Sequence, residues 1–216
     1  MEVELKVKTS KEQIQAILKD VDVDQLDYSV TSISYYSHNG EELVNPKNDV
    51  RIKDVTGYQL PPPSTSLIEN KDKNFAAYNR MQQIVDFLTK EKLDNSLIAV
   101  KEIKIQIISS SVSKEANLDK HAFEAFQLLA NLTQYQSYLT TVKRSATLYT
   151  NSGFKFEFTN MNNSDIYFSV SKRWSANKST NDIKKSIIEL FKKYKISEEE
   201  IDSRSWKEIA KEHAIN

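Results

Sequence analysis

The chain begins MEVELKVK, in which Glu2, Glu4, Lys6 and Lys8 alternate with Val3, Leu5 and Val7. A period of two places the charged residues on one face of a strand and the apolar ones on the other. Two carboxylates and an ammonium on one wall can do chemistry together. A hard divalent cation takes oxygen ligands, and a phosphate takes charged N–H donors. The same pattern also describes an ordinary half-buried strand whose charged side meets water. The elements around it decide between the two.

Several later segments repeat this grammar. DVRIKDV sets Arg51 and Lys53 opposite Val50 and Ile52, and VKEIKIQI sets Glu102, Lys104 and Gln106 opposite Ile103, Ile105 and Ile107. FKFEF sets Lys155 and Glu157 opposite three phenylalanines, and IYFSVSKRW puts Tyr167, Ser169, Ser171 and Arg173 opposite Phe168 and Val170. With VTSISYY and TTVKRSATLY these make at least seven strand candidates, rich in β-branched and aromatic residues. In the last of them Lys143 and Arg144 are adjacent, so a regular strand turns only one of them to a given side. The sequence leaves that choice open.

Amphipathic helices lie between the strands. Ser10 and Gln13 form a capping box ahead of Ile14, Ile17 and Leu18. Tyr78, Met81, Val85 and Leu88 share a stripe, as do Phe123, Phe126, Leu129 and Ala130, and then Ile183, Ile187, Leu190, Phe191 and Tyr194. SEEEIDSRSWKEIAKE reads as a short helical tail with an acidic start at Ser197. Residues 54–74 read as a loop, because three successive prolines favour an extended segment. His38 precedes Asn39-Gly40, a strong turn signal, and reads as an exposed turn residue.

Composition removes whole classes of function. Lys+Arg and Asp+Glu both number 30, so no net field favours nucleic acid or an anionic membrane. The absence of cysteine excludes disulfides, thiolate catalysis and Cys-ligated zinc. Three histidines far apart in sequence give no support to a histidine triad or a two-His metal motif. Three glycines leave no Walker loop or dinucleotide fingerprint to cradle phosphate. No apolar run approaches the roughly 18 residues of a membrane span, and the default expectation is a cytoplasmic protein.

The pattern is α+β, with largely antiparallel strands and helices packed outside them. A closed barrel would turn all the charged faces into one lumen. Here the chain resembles the CYTH superfamily, the triphosphate tunnel metalloenzymes, which include class IV adenylyl cyclases and thiamine triphosphatases. Glu2 to Lys6 fits the family's E-x-E-x-K strand. YYSHNGEELVNPKNDVRIK, with Tyr35, Tyr36, Arg51 and Lys53, looks like its Tyr-rich strand, turn and basic strand. FEAFQLLANLTQYQSYLTTVKRSATLY is similar to its helix and basic strand, and IIELFKKYKISEEEIDSRSWKEI to its C-terminal helix, acidic turn and tail.

The resemblance implies one domain over residues 1–216: an eight-stranded antiparallel barrel, with an insertion at about 54–96 made of the Pro-rich loop and a helix. It implies Glu2, Glu4 and Lys6 as catalytic residues, with Arg51, Lys53, Lys104, Lys143 and Arg144 as substrate contacts. Mg²⁺ or Mn²⁺ would be held by Glu2 and Glu4. The family's second E-x-E is absent, since Ser169 and Ser171 occupy its place. Glu102, Asp165 or Glu157 could compensate, and strand phase favours Glu157 as a metal ligand. The expected activity is metal-dependent hydrolysis of an inorganic or organic triphosphate. The alternatives are a degenerate tunnel that binds a nucleotide or polyphosphate without turnover, and a cyclase. Expected partners are a small-molecule triphosphate or nucleotide, with no membrane and no nucleic acid; a homodimer is compatible with the pattern.

Overall fold

The computed structural model describes residues 2–21, 26–41, 49–60, 73–90, 97–108, 113–173 and 179–213. The Pro61–Pro63 run and Trp174 lie outside the described residues. Among the described residues eight strands, β1 (Glu2–Lys8), β2 (Asp27–His38), β3 (Asp49–Tyr58), β4 (Ile98–Ile108), β5 (Ser113–Leu118), β6 (Tyr135–Tyr149), β7 (Lys155–Met161) and β8 (Ile166–Arg173), form one sheet. Its order is β1-β8-β7-β6-β2-β3-β4-β5, and the registered pairs are antiparallel. The expected α+β, eight-stranded antiparallel architecture is therefore present. Hydrogen bonds among the described residues do not close it, because β1 and β5 stand at opposite ends of the order.

Among the described residues five α-helices accompany the strands: α1 (Lys11–Leu18), α2 (Lys73–Thr89), α3 (Lys120–Leu132), α4 (Thr180–Lys193) and α5 (Trp206–Glu212). None is long and apolar enough to cross a membrane. The chain divides into two compact units. One comprises residues 1–28, 59–95 and 144–216; the other comprises 29–58 and 96–143.

In the first unit the core lies on the apolar face of β7 and β8. Phe156, Phe158, Phe168 and Val170 are buried there; Phe168 meets Phe191 of α4, with ring centroids 5.8 Å apart, and both Phe156 and Phe168 meet Tyr194, the residue that caps the end of that helix. Ser179 caps α4 by a reciprocal box with Asp182, which fixes where the helix starts. The Ser10–Gln13 box starts α1 as the sequence predicts. That helix packs against α2, whose Ala77, Met81, Ile84, Val85 and Leu88 are buried. Tyr78, assigned to the same stripe, is 45% exposed. Residues 54–58, the start of the proposed insertion, continue β3.

The C-terminal tail is two elements instead of one helix. A single 3-10 turn (Glu198–Glu200) is followed by an extended stretch, where Ile201 bridges to Val7 and the Asp202 N–H donates to the Lys6 carbonyl at 2.8 Å. A further capping box, Ser205 with Glu208, then starts α5. Unlike α4, α5 sits on the polar face: Ile209 and Ala210 pack with Met161 and Tyr167, and Trp206 covers that cluster.

In the second unit β3, β4 and β5 form a ladder, with Ile52 opposite Ile105 and Lys53 opposite Lys104. Asp119 caps α3 through the Ala122 N–H. Of the expected α3 stripe only Ala130 is buried, and Leu129 is exposed. Asn39 and Gly40 follow β2 with positive φ, and His38 beside them is exposed, as the turn signal predicts.

Candidate functional site

Antiparallel register puts directly opposed residues on the same face. Across β1, β8 and β7 one row is Lys6, Ser169 and Glu157, and the next is Glu4, Ser171 and Lys155. A third pairs Glu2 with Arg173. Glu2, Glu4, Lys6, Lys155 and Glu157 therefore share one wall with the two serines. If this were a plain solvent-facing side, its polar residues would be wet. Instead Glu157, Ser169, Ser171 and Lys6 are buried, each at most 8% exposed. Burying that many polar groups is costly unless they are partnered, so this part of the wall is a built polar interior, with Glu2 and Glu4 at its exposed end.

The partners are specific. Ser171 Oγ donates to Glu2 Oε1, which fixes one carboxylate of β1 against β8. The Trp206 indole N–H donates to Glu4 and fixes the other. Lys6 Nζ donates to the Arg204 carbonyl and lies 5.2 Å from the Trp206 ring centre, a cation–π distance. Burial pulls the Lys6 ammonium below the ordinary lysine range, against the opposing pull of Glu4 and Asp202. Lys155 Nζ meets Glu157 Oε2 at 2.8 Å. Burial opposes the charge of Lys155, yet the adjoining carboxylate outweighs it and the ammonium's pKa ends above its usual value. Beyond the rows, Lys8 pairs with Asp165 at 2.7 Å, and that ammonium holds the Asp165 carboxyl below its ordinary value.

The extended tail is tied by Asp202. Its carboxylate takes bonds from the Arg204 backbone and guanidinium, with Nε at 2.9 Å, and from the Tyr167 hydroxyl at 3.3 Å. Those bonds from Arg204 hold the Asp202 pKa down at about 2.

The remaining sequence-predicted residues stand on other strands. In the second unit Arg51, Lys53 and Lys104 share the polar face of the β3–β4–β5 ladder. Lys53 meets Glu115 at 2.5 Å and Lys104 meets Glu102 at 2.8 Å. The hydrogen bond to Glu102 raises the Lys104 pKa. The Arg51 guanidinium stands 5.0 Å from the Tyr35 ring centre. On β6, Arg144 alternates onto the face of Ala146 and Leu148, both buried, and its Nη1 donates to Asn163 Oδ1 at 3.3 Å. Lys143 takes the opposite face, with Ser145 and Thr147. Strand phase thus puts Lys143, not Arg144, on the polar side of β6.

Metal ligation divides the acids. Among the described residues no group of three or more carboxylates or imidazoles stands at metal-holding spacing. Glu2 and Glu4 are exposed carboxylates two positions apart on one strand. They suit an ion completed by water and substrate phosphates, which is how Mg²⁺ is usually bound, rather than a cage made by the protein alone. Glu157 is already engaged with Lys155, and Glu102 with Lys104. The sequence gives Lys155 no role, although its phase beside Glu157 is visible there, and only the fold brings the Trp206 indole to Glu4.

No protein-family model matches the chain, and no curated protein is similar to it in sequence. Solved structures do match. A Pyrococcus horikoshii OT3 protein is 11% identical, with 99% of this chain and 100% of that one covered and a TM-score of 0.66. A putative adenylate cyclase from Vibrio parahaemolyticus is 12% identical, with 97% of each chain covered and a TM-score of 0.62. A putative adenylyl cyclase from Hippeastrum, for which a dominant triphosphatase activity is described, is 9% identical; 100% of this chain and 96% of that one are covered, with a TM-score of 0.55. The chain has the fold of these proteins, and it is the fold that the CYTH resemblance implies.

Proposed function

We propose that this protein is a metal-dependent phosphohydrolase acting on an inorganic or organic triphosphate. The observation that carries the reading is the wall of β1, β8 and β7, where two acids and a buried ammonium stand in register with buried hydroxyls. Glu2 and Glu4 would hold Mg²⁺ or Mn²⁺, which when bound neutralises phosphate oxygens and activates a water. Ser171 and Trp206 orient those two carboxylates. Lys6 spends one of its three N–H donors on the Arg204 carbonyl and can offer the others to phosphate oxygens. Within the second unit, Arg51, Lys53, Lys104 and Lys143 are proposed as phosphate-binding residues in their own right; Arg144 leaves that set because of its strand face.

A second reading rests on Ser169 and Ser171. Neutral hydroxyls are weak ligands for a divalent cation. A wall with them in place of acids could bind polyphosphate without turning it over. Calorimetry with tripolyphosphate, with and without Mn²⁺, tests what both readings share: binding strengthened by the metal supports them, and no heat in either condition overturns both.

A further inference from the structure

Glu157 is the acid on this wall that the register would recruit to a metal, yet its surroundings argue otherwise. Its side chain is 7% exposed and lies 2.8 Å from the ammonium of Lys155, two positions away on the same face of β7. The groups facing it from β8 are the hydroxyls of Ser169 and Ser171, which bring no charge. Beyond them on β1 stand Lys6, in the same row, and Glu4, in the row of Lys155. A buried carboxylate needs a counter-charge, and one ammonium already supplies it. A divalent cation at Glu157 would have to displace Lys155 and then find further oxygen ligands where two serines stand.

We infer that Lys155 is a built-in counter-cation for Glu157, which takes that carboxylate out of metal binding and restricts divalent cations on this wall to Glu2 and Glu4. This rests on the functional reading above, and it corrects one part of the expected ligand set. It also gives Ser169 and Ser171 a reason: with an internal ammonium in place, further carboxylates are not required to balance charge.

The test counts Mn²⁺ ions per chain by electron paramagnetic resonance, with tripolyphosphate at saturation. Four proteins are compared: wild type, Ser169→Glu, Lys155→Gln/Ser169→Glu, and the same double variant with Glu157→Gln. The added acid at 169 stands directly opposite Glu157, so the pair can chelate only if Lys155 does not neutralise it. Wild type is expected to bind one Mn²⁺, and Ser169→Glu still one. The double variant is expected to bind two, and adding Glu157→Gln to return it to one. A second ion in Ser169→Glu with Lys155 intact would overturn the inference. So would failure of a double variant of native circular dichroism to gain an ion. Should that variant not fold, Glu157→Gln alone decides, because any loss of Mn²⁺ from the wild-type count then contradicts the inference and an unchanged count supports it. A wild type that binds no Mn²⁺ contradicts the metal-dependent reading, while the gain between the variants still tests Lys155.

Discussion

The Trp206 indole nitrogen lies 3.2 Å from Oε1 and 3.4 Å from Oε2 of Glu4, joining residues 202 positions apart in the chain. The contact makes the tail part of the wall. Trp206 stacks edge-on against Tyr167 at 5.6 Å and covers Lys6, so one residue orients an acid and shields a base. Hydrogen bonds to a ligating carboxylate matter for metal affinity, commonly by about 10–100-fold. Trp206→Phe keeps an aromatic ring, though a smaller one, and removes the donor. It should weaken Mn²⁺ binding in the presence of tripolyphosphate by about tenfold while costing about 1 kcal/mol of stability. Calorimetry beside urea unfolding separates the two effects; unchanged Mn²⁺ affinity would reduce Trp206 to packing.

Arg51→Ala and Lys53→Ala should each weaken tripolyphosphate binding by about 1.5–3 kcal/mol, the usual worth of a hydrogen bond to a charged group. Arg144→Ala should leave that affinity within about twofold, because Arg144 shares its strand face with Ala146 and Leu148. A loss at Arg144 as large as at Arg51 would refute the assignment of faces on β6.

Acid should loosen the tail before the core. The Asp202 carboxyl titrates at about 2 in the fold, below its ordinary 3.8. A carboxylate with a lowered pKa contributes stability that is present above its ordinary value and lost as pH falls through the folded one. The stabilising effect of Asp202 should therefore fade between about pH 4 and pH 2. Asp202→Asn removes that component at every pH. Urea unfolding at pH 6, 4 and 2.5 should show a gap between wild type and variant that shrinks toward acid; a constant gap would contradict the account.

Phe168 is fully buried and meets Phe156, Phe158, Phe191 and Tyr194. Phe168→Ala should cost about 3–5 kcal/mol. A loss below about 1 kcal/mol would mean that α4 does not cover this face of the sheet.

Seven of the eight strands were legible because their polar and apolar residues alternate with period two, whichever faces the fold then buries. β5 was not: SKEANL is an edge strand whose side chains are nearly all exposed, so nothing constrains its alternation. The α3 stripe of Phe123, Phe126, Leu129 and Ala130 departs for a related reason, since Leu129 is apolar but exposed, as are its neighbours Leu128 and Leu132. The tail was read as one helix because its residues favour helix, whereas the Val7–Ile201 bridge and the Asp202–Lys6 backbone bond pull residues 201–204 out into an extended strap. Strand phase and the observed register agree in putting Glu2, Glu4, Lys6 and Glu157 on one face of the sheet. What phase cannot show is partnership across distant sequence. Trp206 on Glu4 and Arg204 on Lys6 exist only once the tail is folded.

The most direct test of the central claim is phosphate release from tripolyphosphate by wild type and Glu4→Gln, with Mg²⁺, with Mn²⁺ and without metal. The substitution keeps the shape of the side chain and removes the charge that would hold the ion. The account predicts turnover by wild type only when metal is present, and its loss by at least about a hundredfold in Glu4→Gln. Equal turnover by both proteins, or a folded wild type inert toward inorganic triphosphate, thiamine triphosphate and ATP with either metal, would contradict it.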